Sequence, residues 1–222
     1  MKRLIFIVEG QTEQEFVNSV IRPYFLENYN FANINAFCIQ TATGHKGGLV
    51  KYNHLQKDIK RSLSGDVIVT TFLDFFRIPK TMPNYNLMLT IPTTDEKIAV
   101  LENGIKEDID SYKFIPYIQK HEFEALLFSD NRGFEGLYEP CIYNKTQTII
   151  NAYPNPENIN NAPETAPSKR LEKILHDCGE RYDKVTEGNL IAEDIGINKM
   201  LEKCPRFKAW IETLVNRVIQ NT

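Results

Sequence analysis

The chain is short of most features that assign function quickly. Its four cysteines, Cys38, Cys141, Cys178 and Cys204, are scattered with no CxxC pair. That argues against a zinc cage or a disulfide framework, and predicts reduced thiols in a cytoplasmic protein. No apolar run approaches the ~20 residues of a membrane span. The opening MKRLIFIVEG imitates a signal peptide, but its apolar stretch is too short and has no small-residue cleavage site. A basic excess is also missing: the net charge is −3 and the pI about 5.9, so contact with nucleic acid must be local rather than a general coating. There is no internal repeat, and biased composition is confined to the asparagine- and proline-rich segment NAYPNPENINNAPETAP, residues 151–167.

What is present is an ordinary globular composition, with 42% hydrophobic and 25% charged residues over 222 positions. Leu4–Val8 and Asp66–Leu73 (DVIVTTFL) are apolar without alternation, as expected of parallel strands covered on both faces. Ile34–Gln40 and Phe114–Ile118 are two further strands. Between them lie helical patterns: Thr12 to about Leu26, with Thr12 as cap and Glu15 completing a capping box, then Tyr52–Leu63 and Thr94–Asp108. The alternation predicts an α/β fold with a mainly parallel sheet flanked by helices and right-handed crossovers, over residues 1–150. Residues 151–222 read as a linker and a C-terminal helical extension packed on that domain, with helices near Ser168–His176, Glu187–Ile195 and Pro205–Ile219. Trp210 has Phe207, Ile211 and Leu214 beside it at helical spacing and reads as core, although Arg206 and Lys208 leave room for a basic, aromatic nucleic-acid patch.

In an open α/β sheet, ligands bind beyond the carboxyl ends of the strands. Glu9 follows the first strand, Asp74 follows DVIVTTFL, and Glu122 and Glu124 follow FIPYIQK. Carboxylates gathered at one edge repel and raise one another's pKa, and a divalent cation removes the conflict. Oxygen-only ligands point to Mg²⁺ or Mn²⁺, which can polarise a phosphoryl oxygen and acidify a water. Gly10 would allow close backbone approach, and the helix start at Thr12 would supply N–H groups for a phosphate. The plainer alternative is that acids in a first helical turn, Glu13, Glu15 and Glu124 among them, only favour the helix dipole. His121 is either a proton shuttle or a structural histidine, and HEFEA lacks the second histidine of a zinc protease motif. Lys46 in GHKGG (Gly44–Gly48) is either a phosphate contact or a solvated turn residue, and the loop lacks a Walker pattern. Lys169 and Arg170 open a helix where positive charge is unfavourable, so they either hold a phosphate or the acidic edge, or are simply solvated.

The stretch VEGQTE (Val8–Glu13) resembles the first motif of Toprim domains, the metal-dependent module of topoisomerases, primases and OLD-type nucleases. Glu9 matches the motif glutamate and Asp74 the first acid of the Asp-x-Asp, but Phe76 stands where the second would be. The full-length pattern, with GHKGG, HEFEALLF, APSKRLEKI and CPRFKAWIETL, resembles a Toprim-like bacterial family of unknown function (domain of unknown function family 4276). The resemblance implies a metal-dependent nuclease of phage-defence loci, with proton transfer at Glu9 and metal held by Asp74 and by Glu122 or Glu124. It also implies a neighbouring ABC-type ATPase as partner. The alternatives are a non-catalytic subunit of such an ATPase, or phosphoryl transfer on a small phosphate ester. Nucleic acid is the expected substrate, no membrane contact is expected, and self-association into a homo-oligomer stays open.

Overall fold

A computed structural model describes residues 2–219 except 43, 44, 47, 48, 50, 77, 161 and 163, and only the backbone at 41, 42, 45 and 46. Within GHKGG the backbone of His45 and Lys46 pairs antiparallel with Gln40–Ala42, while Gly44, Gly47, Gly48 and the side chain of Lys46 lie outside the described residues.

Five strands form one parallel sheet: β1 (Arg3–Val8), β2 (Ile34–Cys38), β3 (Val67–Asp74), β4 (Phe114–Ile115) and β5 (Ile118–Gln119). The order is β2-β1-β3-β4, with β5 continuing alongside the end of β3. Strand β1 pairs with β2 from Leu4↔Ile34 to Val8↔Cys38, and with β3 from Arg3↔Val67 to Val8↔Phe72. The chain lays β2 on one side of β1 and then crosses to lay β3 on the other. The carboxyl ends of β1 and β3 thus flank the topological switch point, where such sheets open a crevice. The expected single strand over 114–118 is split. Pro116 has no N–H to give the ladder, and Thr71 Oγ1 bonds the Tyr117 N–H (2.8 Å) and C=O (2.9 Å) in its place.

The unbroken apolar strands β1 and β3 are covered on both faces. Ile5, Ile7, Val69 and Leu73 meet α3 (Tyr52–Ser62, through Leu55 and Ile59) and α4 (Thr94–Ile109, through Ile98, Leu101 and Ile105). On the other face, Leu4, Phe6, Val8 and Phe72 meet the first helical run and the C-terminal helices. Those helices are α5 (Pro140–Ala152), α6 (Pro167–Asp177), α7 (Thr186–Ile195), α8 (Ile197–Lys203) and α9 (Pro205–Ile219). Trp210 on α9 is core: it stacks on Tyr117 at 4.0 Å, packs against Phe6 and Phe72, and donates its indole N–H to Thr70 Oγ1 at 2.9 Å. Arg206 pairs with Glu102 at 2.8 Å. The basic patch reading is not what these residues form.

The first helical run is α1 (Gln11–Phe16), a π turn at Val17–Ile21 and α2 (Arg22–Tyr29). Pro23 supplies no N–H and crowds the preceding turn, and a π turn is one way a helix accommodates that. The expected capping box at Thr12 does not form. Gly10 occupies the cap position with extended backbone and no side-chain cap, and Thr12 is buried inside the helix. The proline-rich stretch 78–92 carries the short helix Tyr85–Met88 and buries Met82 and Met88 in the α3–α4 core. Asn84 Nδ2 also bonds the Val100 C=O.

The cysteine reading needs correction. Cys141 and Cys178 form a disulfide between α5 and the end of α6, with Cα atoms 6.0 Å apart. Packing of these helices brings together residues 37 apart in sequence, which spacing could not reveal. Cys38 and Cys204 are buried thiols. Among the described residues no helix is long and apolar enough to cross a membrane.

Candidate functional site: carboxylates around a lysine

Asp74 ends β3, and its position is over-determined. Beyond it the chain runs beside residues 119–121, with Phe75 N–H on Gln119 O (3.0 Å) and Phe76 N–H on His121 O (2.9 Å). Asp74 Oδ1 accepts the Phe123 N–H at 2.9 Å, tying the strand end to the 3₁₀ helix Phe123–Ser129 that carries Glu124. Glu13 comes from the first turn of α1, one turn beyond Gly10. A Cβ on Gly10 would stand 3.3 Å from Glu13 Oε2, so glycine leaves this carboxylate room to lie over the strand end.

These three side chains converge on Lys184. Its Nζ lies 3.4 Å from Glu124 Oε1, 3.6 Å from Glu13 Oε1 and 3.7 Å from Asp74 Oδ2. Lys184 sits in the segment between α6 and α7. Reciprocal bonds hold its backbone: Thr186 N–H to Asp183 Oδ1 at 2.9 Å and Asp183 N–H to Glu187 Oε2 at 2.7 Å. Asn189 on α7 donates to the Thr12 C=O, locking α7 on α1. One strand end and two helical turns within the first 130 residues therefore contribute the acids, and the C-terminal helical region contributes the cation.

Burial and mutual repulsion set the charge state. Glu124 is fully buried and neither carboxylate oxygen has a hydrogen-bond partner. Desolvation pushes it up to about 7, with Lys184 opposing and Glu122 and Glu13 adding to the rise. Asp74 is raised well above the usual carboxylate range by burial; Lys184 opposes this, and Glu13, Glu9 and Glu124 reinforce it. Glu9, just past β1, is raised by burial and by Glu13, against hydrogen bonds from the Leu49 and Asp74 backbones. Burial works against the charge of Lys184, but Asp74, Glu124, Glu13 and Glu122 outweigh it and hold the ammonium protonated. The Tyr182 hydroxyl, buried without a partner, is raised by desolvation and then by Glu124.

The remaining expected residues have other occupations. Glu122 caps α6, accepting the Ser168 N–H at 3.0 Å and its Oγ–H at 3.1 Å, so its oxygens are taken. His121 adopts a left-handed backbone (φ 70°) with Nδ1 buried and unpartnered. Burial lowers it to about 4, helped by Lys120 and opposed by Asp95, so the charges acting on it lie outside the carboxylate group. Lys169 pairs with Glu172 at 2.6 Å. Arg170 donates to Thr165 O at 2.8 Å and lies over the Tyr153 ring. Phe76, which departs from the Asp-x-Asp pattern, is half-buried.

Two contributors escaped the sequence reading. Glu13 looked like a helix-dipole acid, and only its spacing from Glu9, four residues or one helical turn, hints at a shared face. Lys184 lies in ERYDKVTEGN, a polar loop with no motif, and nothing in the sequence marks it.

The donor set is chemically suited to a hard divalent cation: oxygens only, from three elements, with two buried oxygens of Glu124 lacking partners. Its spacing is that of an ammonium. Mg²⁺ demands oxygens at ~2.0–2.1 Å, and among the described residues no three acidic, histidine or cysteine side chains are arranged to hold a metal ion as they stand.

The fold and the gathered carboxylates define a three-layer, parallel-sheet α/β protein with an acidic cluster at its strand ends. The model of the family described as "Domain of unknown function (DUF4276)" matches residues 8–215, and the chain belongs to that family. A search of curated proteins found no match. Among solved structures, it is similar to the C-terminal region of the Xanthomonas campestris pv. campestris OLD protein, phased with iodine. There the identity is 14%, 100% of this chain and 96% of that one are covered, and the TM-score is 0.48. The same region phased with mercury gives 15% identity, the same coverage and a TM-score of 0.45.

Proposed function

We propose that this protein is a Toprim-like, Mg²⁺- or Mn²⁺-dependent hydrolase of phosphodiester bonds in nucleic acid, acting in phage defence. One observation carries the reading: oxygens of Glu13, Asp74 and Glu124 all lie within 3.7 Å of one point beside the switch point of the sheet. The VEGQTE likeness supports the same assignment. Glu13, Asp74 and Glu124 would hold the ion, which when bound supplies positive charge to a phosphoryl oxygen and acidifies a water. Glu9 exchanges the proton: its carboxylate takes one from the attacking water as the new P–O bond forms, and returns it to the oxygen that leaves as the old P–O bond breaks. The raised affinity of Glu9 for a proton suits it to both halves of that exchange. Asp74, fixed by the Phe123 N–H, keeps the site registered on the strand end.

Purified protein with Mn²⁺ and supercoiled plasmid or single-stranded DNA is expected to nick or degrade the DNA, and Asp74→Ala to abolish the activity. Equal cleavage by the variant removes the assignment.

A second reading is favoured by Phe76 and by the lysine already among the acids: a non-catalytic subunit that docks on an ABC-type ATPase. Co-purification of that ATPase from the native host, together with no cleavage by the wild type under any divalent ion, is the outcome that selects it.

A further inference from the structure

We propose that Lys184 is a resident counter-ion whose ammonium and a divalent metal exclude one another, so that metal enters the site only as Lys184 swings out. The proposal rests on the metal-dependent reading above and concerns how that site is loaded.

For one ion to share oxygens of Glu13, Asp74 and Glu124 it must stand inside the space those oxygens enclose, and Lys184 Nζ stands there at 3.4–3.7 Å from each. A doubly charged ion needs the same oxygens more than an ångström closer, and two cations at that separation repel in a site largely shielded from water. Without a cation the site is unfavourable, because Glu124 is buried with both oxygens unpartnered, and among the described residues Lys184 is the positive charge that acts on it. The lysine thus lets the chain fold with its acids gathered before any metal arrives.

The exit is also present. The side chain of Lys184 is 39% exposed, unlike Glu13 at 4% and Glu124 at 0%, so the ammonium has a path to water. Its backbone is pinned by the Asp183–Thr186 and Asp183–Glu187 bonds. Exchange therefore needs rotation of a flexible four-carbon stem and no movement of α6 or α7. A site occupied by its own cation most of the time binds metal more weakly by the fraction of time it is vacant.

Mn²⁺ binding measured by calorimetry or electron paramagnetic resonance on the full chain, for wild type, Lys184→Met and Lys184→Arg, tests this. Lys184→Met is expected to bind Mn²⁺ at least ~10-fold more tightly than wild type, as when a competitor that occupies a site nine-tenths of the time is removed. Lys184→Arg, still cationic, is expected to gain nothing. Equal affinity in wild type and Lys184→Met overturns the proposal and leaves the metal reading standing. No Mn²⁺ binding by either protein overturns both. Should Lys184→Met fail to fold, the wild type itself decides. Acetylation of Lys184 by an N-hydroxysuccinimide ester, followed by mass spectrometry, is expected to rise several-fold with saturating Mg²⁺. Labelling that Mg²⁺ leaves unchanged or suppresses contradicts the exchange.

Discussion

Lys184 Nζ stands 3.4 Å from Glu124 Oε1, and those two atoms join parts of the chain sixty residues apart: the strand-end turn of the sheet and the polar segment between two C-terminal helices. Among the described residues the Glu124 oxygens have no hydrogen-bond partner. The pair therefore couples the stability of the protein to the state of the carboxylate cluster.

The first consequence is thermodynamic. Without metal, Lys184→Met leaves Glu124 and Asp74 without their cation. Because the lysine is partly exposed, the loss is expected at about 1–3 kcal/mol, below that of a fully buried pair. Urea unfolding in EDTA measures it, and a change under about 0.3 kcal/mol would mean that solvent, not Lys184, balances the acids.

The second is a pH dependence. Glu124 is raised to about 7, above its ordinary 4.5. A carboxyl that holds its proton more tightly when folded stabilises the fold fully below the unfolded pKa, and that contribution is lost as pH rises through the folded pKa. Between pH 4.5 and 8, wild type is expected to lose about 3 kcal/mol more than Glu124→Gln. Asp74 is raised in the same direction, in part by Glu124, so the difference between the two proteins reads Glu124 together with its coupling to Asp74. Parallel stability curves for the two proteins would show that Glu124 titrates normally.

A third prediction separates the two acids of HEFE. Glu122 caps α6 through Ser168, so Glu122→Ala is expected to cost about 1–2 kcal/mol, as for a lost helix cap, while leaving Mn²⁺ affinity within a factor of ~3, a difference under about 1 kcal/mol. Glu124→Gln is expected to do the reverse. If Glu122→Ala is the variant that abolishes metal binding, the ligand set named here is wrong.

A fourth concerns the scaffold. Trp210→Ala removes a ring stacked on Tyr117 and the hydrogen bond to Thr70, and is expected to destabilise by about 3–5 kcal/mol. Far-UV and near-UV circular dichroism during thermal melting check it. A melting point within a degree or two of wild type would mean that α9 does not hold the sheet.

Much of this architecture is written locally. Unbroken apolar runs mark β1 and β3, helical spacing marks α4 and α9, and the acids at strand ends mark the edge where the carboxylates gather. What the sequence concealed depends on tertiary packing. Thr12 looked like a cap because Thr-x-x-Glu is a capping signal, yet Gly10 takes the cap position so that Glu13 can reach the strand end. Glu122 and Glu124 were indistinguishable until Ser168 arrived from a helix 46 residues on to claim Glu122. Cys141 and Cys178 are joined only by the packing of α5 and α6. Lys184 carries no motif, because a counter-ion needs only charge and reach, and many lysines have both.

The most direct test of the proposed metal site is anomalous diffraction from crystals soaked in Mn²⁺. The account predicts one peak bonded to oxygens of Glu13, Asp74 and Glu124, with Lys184 Nζ withdrawn from among them. Crystals fully soaked with no peak there, and the ammonium still seated between the three carboxylates, would contradict it.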